Sequence, residues 1–423
     1  MFRNVKGMAD LLPSETEKWQ QVERRLERIL HSFAYRQIRT PLVEPHELFT
    51  HAVGEHTDIV QKEMYTFTDQ GDQNLCLRPE ATASVLRAYF QHRLDQEAGL
   101  QRLYYMGPMY RRERPQKGRL RQFHQLGAEA IGSEDPYIDA EMISILLLIA
   151  KSFSLPDLVL EINTLGDAET RKVYRSELQT YLLKHSKAFS EAELTRVHQN
   201  PLRVLDSKNP ALQDIILEAP MITQALNSKS AKHFDQVQEA LQALEVEYVV
   251  NPKLVRGLDY YCHTAFELKA EGLGAQSTVG AGGRYDGLGE KFGQGQTPAI
   301  GFAMGLERLM LLLEQSWTYA PPRPRIDFFA LEEEQKPSVL RLANRLREDQ
   351  SLITSIRLEV GVLWEAQSVK SALRLAHKQG SRFVVLLGPE EEKKGHITLK
   401  DLQKSEQWMI PADQLVQRIK EKI

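Results

Sequence analysis

The segment at residues 104–132 constrains the fold of this chain more than any other part of the sequence. It reads YYMGPMYRRERPQKGRLRQFHQLGAEAIG, with an alternating flank on each side of a cationic centre. From Arg111 to Arg121 there are six cations and a single acid, Glu113. A proline and a glycine inside this run are typical of a turn. The pattern predicts a β-hairpin that carries a basic loop.

The return flank of this hairpin sorts its side chains with a period of two. Phe123, Gln125 and Glu129 fall on one face. The other face carries the small apolar residues Leu126, Ala128 and Ala130. The first face suits a polyphosphate joined to a heterocycle, because nearby cations bind oxygens and an aromatic ring stacks. The same charges are also typical of a solvated sheet edge, so the hairpin alone leaves both interpretations open.

Composition indicates an ordinary globular protein with two or three domains. The chain has 423 residues, 42% of them hydrophobic and 26% charged, with a net charge of −3. Nucleic-acid binding would therefore depend on local basic patches. The two cysteines form neither a disulfide framework nor a metal cluster, and we expect a reduced, cytoplasmic setting. The longest apolar run is half as long as a membrane span needs to be. No P-loop, GxGxxG or HExxH motif occurs.

Two segments before the hairpin have uses that the sequence leaves open. Residues 35–45 predict a strand interrupted by Pro41, which confines it to a sheet edge. That edge is either a dimer seam or an ordinary edge strand. Further along, Pro79 and Glu80 precede an apolar helix. Glu80 is either a favourable charge at a helix start or a ligand for a substrate ammonium group.

The second half of the chain predicts a helical insertion and then a return to the sheet. Residues 168–247 are mostly helical and carry no chemistry-bearing cluster. Sheet character resumes near residue 248, with Arg256 in LVRGLDYY and then the glycine run GAGGRYDG. In AIGFAMGLERLM, a strand leads into a helix with Glu307 and Arg308 in its first turn. An arginine there opposes the helix dipole, and an anionic ligand would explain it.

A proline-rich linker at residues 319–324 predicts a domain boundary. We expect a domain at residues 1–320 and a second, α/β domain at residues 326–423. Strands are predicted in the second domain at residues 326–331, 382–387 and 396–402, and helices at 336–348, 368–378 and 411–422.

Five separated motifs resemble those of the class II aminoacyl-tRNA synthetases, and specifically of the histidyl-tRNA synthetases. FAYRQIRTPLVEP resembles motif 1, YRRERPQKGRLRQFHQ with GAEAIG resembles motif 2, and GFAMGLERLM resembles motif 3. LVRGLDYY and GAGGRYDGL resemble the two histidine-specific motifs. The resemblance implies an α+β fold, with an antiparallel sheet flanked by helices, a helical insertion, a C-terminal α/β anticodon-binding domain, and a homodimer.

The resemblance also implies an activity and its partners. L-histidine and ATP would give histidyl-adenylate and pyrophosphate, and the histidyl group would pass to the 3′ end of tRNA(His). Mg²⁺ would arrive as the ATP complex, with no metal held by dedicated protein ligands. For catalysis the resemblance implies Arg256 and Arg111. For ATP it implies Arg111, Glu113, Phe123 and Arg308.

Histidine and tRNA contacts are implied in the same way. The histidine-binding residues would be Glu80, Thr82, Gln125, Glu129, Tyr261 and Tyr285. The residues that contact the acceptor end of the tRNA would be Gln116, Arg119 and Arg121. The sequence WEAQ, which begins at Trp364, stands where the family more often has a glycine-arginine pair, so the individual anticodon contacts stay unassigned.

Three other classes of protein compete with this interpretation. Synthetase-like regulatory subunits of histidine biosynthesis keep the fold but tend to lose the LVRG arginine and the anticodon domain, whereas this chain has both. A plain RNA-binding module explains the basic loop but not Glu80, Glu129 or the paired tyrosines. A synthetase for another amino acid has no reason for LVRGLDYY.

Overall fold

The structure is a computed structural model, and the chain divides into two compact units. It describes residues 2–54, 57–97, 99–116, 118–207, 209–256, 258, 260–270, 278–319 and 323–423. Lys117 of the basic loop, Gly257 and Asp259 of LVRGLDYY, and linker residues 320–322 lie outside the described residues. The units are Met1–Tyr319 and Ala320–Ile423, and each is described by itself.

The larger unit contains ten helices and eleven strands in its described part. The helices are α1 Pro13–Ser32, α2 His46–Val53, α3 Thr82–Gln91, α4 Pro136–Ser152, α5 Ala168–Lys184, α6 Glu191–Gln199, α7 Gln213–Leu217, α8 Ser228–Ala243, α9 Leu288–Lys291 and α10 Leu306–Ser316. The strands are β1 Arg36–Gln37, β2 Val43–Pro45, β3 Tyr65–Thr68, β4 Asn74–Leu77, β5 Gln101–Tyr110, β6 Gln122–Ile131, β7 Leu158–Thr164, β8 Val249–Val250, β9 Cys262–Ala270, β10 Thr278–Arg284 and β11 Ala299–Gly305.

An eight-stranded sheet organises this unit, in the order β1-β5-β6-β11-β10-β9-β7-β8 among the described residues. The six central strands pair antiparallel, and only the edge pairs β1–β5 and β7–β8 are parallel. The predicted hairpin is confirmed as β5 and β6, which pair throughout their ten residues. The antiparallel sheet and its flanking helices match the predicted fold class.

The two faces of β6 have the separate uses that the alternation predicted. Leu126, Ala128 and Ala130 are buried in a core formed with α1, α4, α8 and α10. The opposite face meets a second core, to which Ile131 belongs and against which Phe123 packs. One face therefore stabilises the sheet, and the other is available to build a site.

The N-terminal segments differ in detail from the expectations. The predicted edge strand at residues 35–45 is two strands: β1 lies at the edge of the large sheet, while β2 joins the small sheet β2-β4-β3. Helix α1 begins at Pro13, because proline suits the first helical position. The carboxylate of Glu15 then accepts from the backbone N–H of Leu12 at 3.3 Å.

The helical segment between β7 and β8 contributes to two cores. Tyr174, Leu178 and Leu182 of α5 pack with residues of α6 and α7 in a separate cluster. Helix α8 instead packs on α4 and places Phe234 and Val237 in the main core. The structure thus separates a peripheral helical lobe from one helix that belongs to the sheet layer.

The smaller unit is an α/β fold with a five-stranded sheet, β13-β12-β14-β15-β16 in its described part. Its strands are β12 Arg325–Ala330, β13 Glu359–Val362, β14 Phe383–Leu387, β15 His396–Asp401 and β16 Glu406–Pro411, and its helices are α11 Lys336–Glu348, α12 Val369–Lys378, α13 Pro389–Lys393 and α14 Leu415–Lys422. Strands β12, β13 and β14 are parallel, and β14–β16 are antiparallel. The last predicted helix was expected to begin at residue 411, where β16 in fact ends.

Candidate active site

A cavity of about 230 Å³ on the β6 face brings together most of the predicted site residues. Arg111, Arg256 and Arg308 all line it, although they are distant in sequence. Arg111 follows β5, Arg256 precedes β9, and Arg308 lies in the first turn of α10. The other predicted residues that line the cavity are Glu80, Thr82, Glu113, Arg119, Phe123, Gln125, Glu129, Tyr261 and Tyr285.

Arg111 is held between a backbone carbonyl and an aromatic ring. Its Nε donates to the carbonyl oxygen of Pro79 at 2.9 Å. Its guanidinium carbon lies 5.4 Å from the centroid of Phe123, a distance typical of a cation–π contact. The guanidinium and the ring are therefore presented together, as a cation beside a stacking surface.

Arg308 is fixed at the start of α10 by a contact across the cavity. Its Nη1 donates to the carbonyl oxygen of Thr278 at 3.0 Å, and burial lowers the pKa of Arg308 from its usual value. The preceding residue, Glu307, accepts from both the backbone N–H and the Nδ1 of His124 at 2.9 Å. Glu307 thereby ties α10 to β6, a role that the sequence did not indicate.

Arg256 lies at the boundary between the cations and the tyrosines. Its Nη1 is 3.6 Å from an oxygen of Glu267, and its guanidinium carbon is 5.7 Å from the ring centroid of Tyr261. The Nε of Arg256 is buried and has no hydrogen-bond partner among the described residues. A buried donor of this kind needs an acceptor, which an anionic ligand supplies.

Glu129 is the most enclosed charged group of the cavity, with a relative exposure of 1%. Its two oxygens accept from the hydroxyl of Thr82 at 2.7 Å and from the hydroxyl of Tyr285 at 2.6 Å. Burial raises the pKa of Glu129 to about 8, although both hydrogen bonds favour its carboxylate form. The geometry fixes an acidic group at the closed end of the cavity.

A glycine on the neighbouring strand makes room for this carboxyl group. Gly301 of β11 pairs directly with Glu129 of β6. A Cβ atom at position 301 would lie 1.6 Å from Oε2 of Glu129, so only glycine leaves the required space.

The tyrosines around Glu129 come from the adjacent ends of β9 and β10. Arg284 and Cys262 are paired there, which brings the preceding Tyr261 and the following Tyr285 to one edge. Tyr260 lies 4.6 Å from Tyr261 and 5.7 Å from Tyr285, measured between ring centroids. The carbonyl oxygen of Tyr261 also accepts from Nη1 of Arg171 in α5, at 2.6 Å.

Glu80 combines the two interpretations that the sequence left open. Its oxygens accept from the backbone N–H groups of Thr82 at 2.7 Å and Ala83 at 3.0 Å, at the start of α3. It is nevertheless buried against the cavity, and burial raises the pKa of Glu80. Each oxygen retains a lone pair that can accept from a ligand.

The residues expected to contact tRNA lie in and beside the basic loop, and each has different partners. Arg119 lines the cavity, where its Nη1 is 3.1 Å from Glu113. Gln116 is exposed in the loop, and its backbone exchanges hydrogen bonds with Arg119. Arg121 instead donates from its backbone N–H to the carbonyl oxygen of Gly7, and its Nε donates to the carbonyl oxygen of Glu113.

The described residues contain no group of three or more His, Cys, Asp or Glu side chains placed to hold a metal ion. The acids nearest to the cations already have partners, since Glu113 binds Arg119 and Glu307 binds His124. Such scattered oxygens fit Mg²⁺ that is held mainly by phosphate oxygens, because Mg²⁺ usually needs only one or two carboxylates.

Comparison with known proteins identifies the class first and then the family. The sheet, the motif-2 hairpin and the converging arginines are those of a class II aminoacyl-tRNA synthetase. Residues 7–309 match the family model for histidyl-tRNA synthetase, and residues 326–422 match the model for an anticodon-binding domain. The chain belongs to the histidyl-tRNA synthetase family, and its smaller unit contains an anticodon-binding domain.

Curated relatives agree with this assignment over nearly the whole length. The chain is 45% identical over 411 residues to the histidine–tRNA ligase of Thermosynechococcus vestitus, covering 97% of this chain and 94% of the relative. It is 43% identical over 416 residues to the enzyme of Halorhodospira halophila, covering 98% and 97%.

Solved structures give the same result for the fold. Apo histidyl-tRNA synthetase of S. aureus superposes with a TM-score of 0.83 at 33% identity, covering 99% of this chain and 100% of that one. A protein of Bacillus halodurans C, described as an ATP phosphoribosyltransferase regulatory subunit/histidyl-tRNA synthetase, gives 0.64 at 21% identity, covering 92% and 98%. At that identity the second match shows the fold alone.

No described helix is long and apolar enough to cross a membrane.

Proposed function

We propose that this protein activates L-histidine with ATP and transfers the histidyl group to the 3′ end of tRNA(His). The observation that carries the proposal is a single cavity that joins three arginines to a buried carboxyl group flanked by tyrosines. Guanidinium groups bind phosphate oxygens well, and a buried polar end selects a small polar substrate. Family membership supports the same activity.

In the first step, a carboxylate oxygen of histidine attacks the α-phosphorus of ATP. A new P–O bond forms, the bond to the bridging oxygen breaks, and pyrophosphate leaves with that electron pair. Arg111 and Arg256 stabilise the charge that develops on the α-phosphate oxygens, and Arg111 also orients the attacking carboxylate. No covalent enzyme group is required.

The remaining ATP contacts follow from the same cavity. Arg308 holds the γ-phosphate, Phe123 stacks on the adenine, and Glu113 accepts from the adenine amino group. Glu113 and Phe123 reach the cavity from the two strand ends of the hairpin. Mg²⁺ would arrive with ATP, held mainly by the phosphate oxygens, and would neutralise part of their charge.

The pocket recognises histidine at both ends of the molecule, the ammonium group and the imidazole ring. Glu80, Thr82 and Gln125 bind its ammonium group, while Glu129 and Tyr261 bind the ring nitrogens, with Tyr285 holding Glu129. A ligand without those nitrogens leaves unfilled the acceptor capacity that Glu129 retains beside its bonds from Thr82 and Tyr285. Sites of this kind reject analogues by about 10⁴-fold or more, compared with about 10–200-fold in an apolar pocket.

In the second step, a hydroxyl of the terminal ribose of tRNA(His) attacks the carbonyl carbon of the adenylate, and AMP leaves. Gln116, Arg119 and Arg121 contact the acceptor end, mainly at phosphates, so tRNA affinity falls as salt rises. The C-terminal domain reads the anticodon as splayed single-stranded bases. Residues 1–320 and 326–423 act as the catalytic and anticodon domains, respectively.

Assembly and location complete the proposal. The protein is a homodimer that associates through motif 1, where β1 ends the sheet and Leu42 and Val43 are 39% and 42% exposed. It acts in the cytoplasm, where Cys76 and Cys262, both buried and unbridged, remain reduced. Sedimentation velocity tests the dimer, and a monomer at micromolar concentration would contradict it.

Pyrophosphate exchange with each of the twenty amino acids tests the activity. We expect exchange that depends on histidine alone. Exchange with a different amino acid would overturn the substrate, whereas no exchange with any of them would favour a non-catalytic relative.

A further inference from the structure

Tyr105 is a buried side chain of the cavity to which the sequence motifs give no role. It lies in β5, lines the cavity, and is 3% exposed. Its hydroxyl lies beside that of Thr82 but makes no well-formed hydrogen bond with any described residue. Because buried polar groups in folded proteins nearly always have a partner, this hydroxyl indicates a ligand atom that the cavity receives.

The position of this hydroxyl follows from the pairing of the hairpin. Tyr105 pairs with Gly127 of β6, and its ring lies over that glycine. A Cβ atom at position 127 would be 2.2 Å from Cζ of Tyr105 and 2.3 Å from its hydroxyl oxygen. The hydroxyl therefore lies above Gly127, and the neighbours on the same face of β6 are Gln125 and Glu129.

The order of side chains along β6 matches the order of groups in the reactants. Phe123 lies at the nucleotide end and Glu129 at the closed end proposed for the imidazole. The α-carbon of histidine, with its ammonium group, must lie between them, over Gln125 and Gly127. This is where the hydroxyl of Tyr105 is placed.

Further acceptors lie at this place, as an ammonium group with three N–H donors requires. Oε1 of Gln125 is also buried and has no partner among the described residues. Glu80 lines the same cavity with a lone pair to spare on each oxygen. Together with the hydroxyl oxygens of Tyr105 and of Thr82, which already donates to Glu129, they surround this place with acceptors.

We propose that Tyr105 is a specificity-determining residue for the amino-acid substrate, and that its hydroxyl oxygen accepts a hydrogen bond from the ammonium group beside Gln125 and Glu80. This inference rests on the proposed function and extends it. The phenol stays neutral, because burial raises the pKa of Tyr105 well above its usual value. A neutral oxygen adds a directed acceptor without adding a further charge next to Glu80 and Glu129.

The Tyr105→Phe variant, which removes one oxygen and keeps the ring, tests the proposal. In histidine-dependent pyrophosphate exchange, we expect the KM for histidine to rise about tenfold, as for one hydrogen bond to a charged group, with the KM for ATP unchanged. Tyr104→Phe is the matched control, because Tyr104 is the next residue of β5, is buried on the opposite face, and bonds to Glu27. That control should leave the KM for histidine unchanged.

Two competitive inhibitors separate a contact with the ammonium from a general effect on the pocket. Histidinol has the ammonium group, whereas 3-(imidazol-4-yl)propionate lacks it. In Tyr105→Phe we expect histidinol to bind about tenfold more weakly and the propionate to bind as it does to the parent. Equal weakening of both, or of neither, would overturn the proposal. Absence of histidine-dependent exchange in the parent would instead overturn the proposed function.

Discussion

At one end of the cavity, the arginines lie against partners that a ligand can replace, whereas at the other end the carboxyl group is enclosed before any ligand arrives. Arg111 and Arg308 donate to backbone carbonyls, and Arg256 is 3.6 Å from Glu267. Glu129 accepts from two hydroxyls and is 1% exposed. The arginines can therefore exchange their protein partners for ligand atoms, whereas Glu129 is already held in position before a ligand binds.

This difference suggests that the two ends of the cavity have different functions. Hydrogen bonds from guanidinium to phosphate are roughly twice as strong as those between neutral groups, so a triphosphate can displace the backbone carbonyls. Rearrangement at the histidine end costs free energy, because moving Glu129 would leave buried hydroxyls without partners. We therefore expect the phosphate end to control rate and the histidine end to control selection.

The largest effect is expected from Arg256→Ala. The rate of adenylate formation should fall by about 10²–10³-fold, as when one preorganised donor to a transition-state oxygen is lost. Histidine affinity should stay close to that of the parent, measured by equilibrium binding. Arg102→Ala, which breaks a partly buried ion pair with Glu141 away from the cavity, serves as the control. Near-normal pyrophosphate exchange in Arg256→Ala would refute the role of Arg256.

Glu129→Ala and Glu113→Ala should produce opposite patterns. Glu129→Ala should weaken histidine about 10–100-fold and ATP much less, because the carboxyl group of Glu129 meets only the closed end. Glu113→Ala should weaken ATP more than histidine. Calorimetric titration of histidine and of ATP into each variant measures the affinities that this prediction compares. If Glu129→Ala lowers ATP affinity instead, the division between the two ends is wrong.

Removal of residues 325–423 tests whether the cavity works without the smaller unit. Adenylation should be spared, because every residue that lines the cavity belongs to the larger unit. Charging of tRNA(His) should fall by about tenfold or more, since loss of even 1.4 kcal/mol of tRNA contact is tenfold. Circular dichroism checks that the shortened chain stays folded. Equal loss of both activities in a folded chain would contradict a separate anticodon role.

Gly301→Ala should disturb the closed end without removing any polar group. The added methyl group would overlap Oε2 of Glu129 and approach the backbone oxygen of Ala128 at 2.7 Å. We expect a several-fold rise in the KM for histidine and a loss of about 1–3 kcal/mol in the free energy of unfolding. Gly287→Ala is the control, because a Cβ atom there has open space. Identical behaviour of the two variants would show that Glu129 is not tightly held.

The smallest effect concerns the pH dependence of stability. In the unfolded chain the pKa of Glu129 is near 4.5, and in the folded protein burial raises it to about 8. The folded state therefore binds the proton more tightly, and this group makes the free energy of unfolding fall as pH rises from about 4.5 to 8. Glu129→Gln removes that dependence, so its stability relative to the parent should increase over this window. If urea denaturation shows that the free energies of unfolding of the parent and of Glu129→Gln change equally with pH, the raised pKa of Glu129 is contradicted.

Regular alternation allowed the sequence to predict the central part of the molecule. In β6 one face is apolar and the other polar, so a single register satisfies both, and the structure has that register. The strand and helix around Gly305 were predicted for a similar reason, since apolar residues change from a strand period to a helical one.

The predictions failed where a segment is short or where the reason for a residue lies on another strand. Strand β13 was missed because it is a short, partly exposed edge strand whose Gly361 leaves space for Asp327, and β16 because it is a largely exposed edge strand. Tyr105 was missed because its place depends on Gly127 across the hairpin. A large aromatic residue opposite a glycine was the available signal. The residue roles at the site depend on the family resemblance and remain proposals.

A crystal structure with histidine and a non-hydrolysable ATP analogue tests the central claim most directly. We expect the imidazole between Glu129 and Tyr261, the α-phosphate within hydrogen-bond distance of Arg111 and Arg256, and the γ-phosphate at Arg308. Electron density that places the imidazole outside this closed end, or the phosphates away from the three arginines, would contradict it.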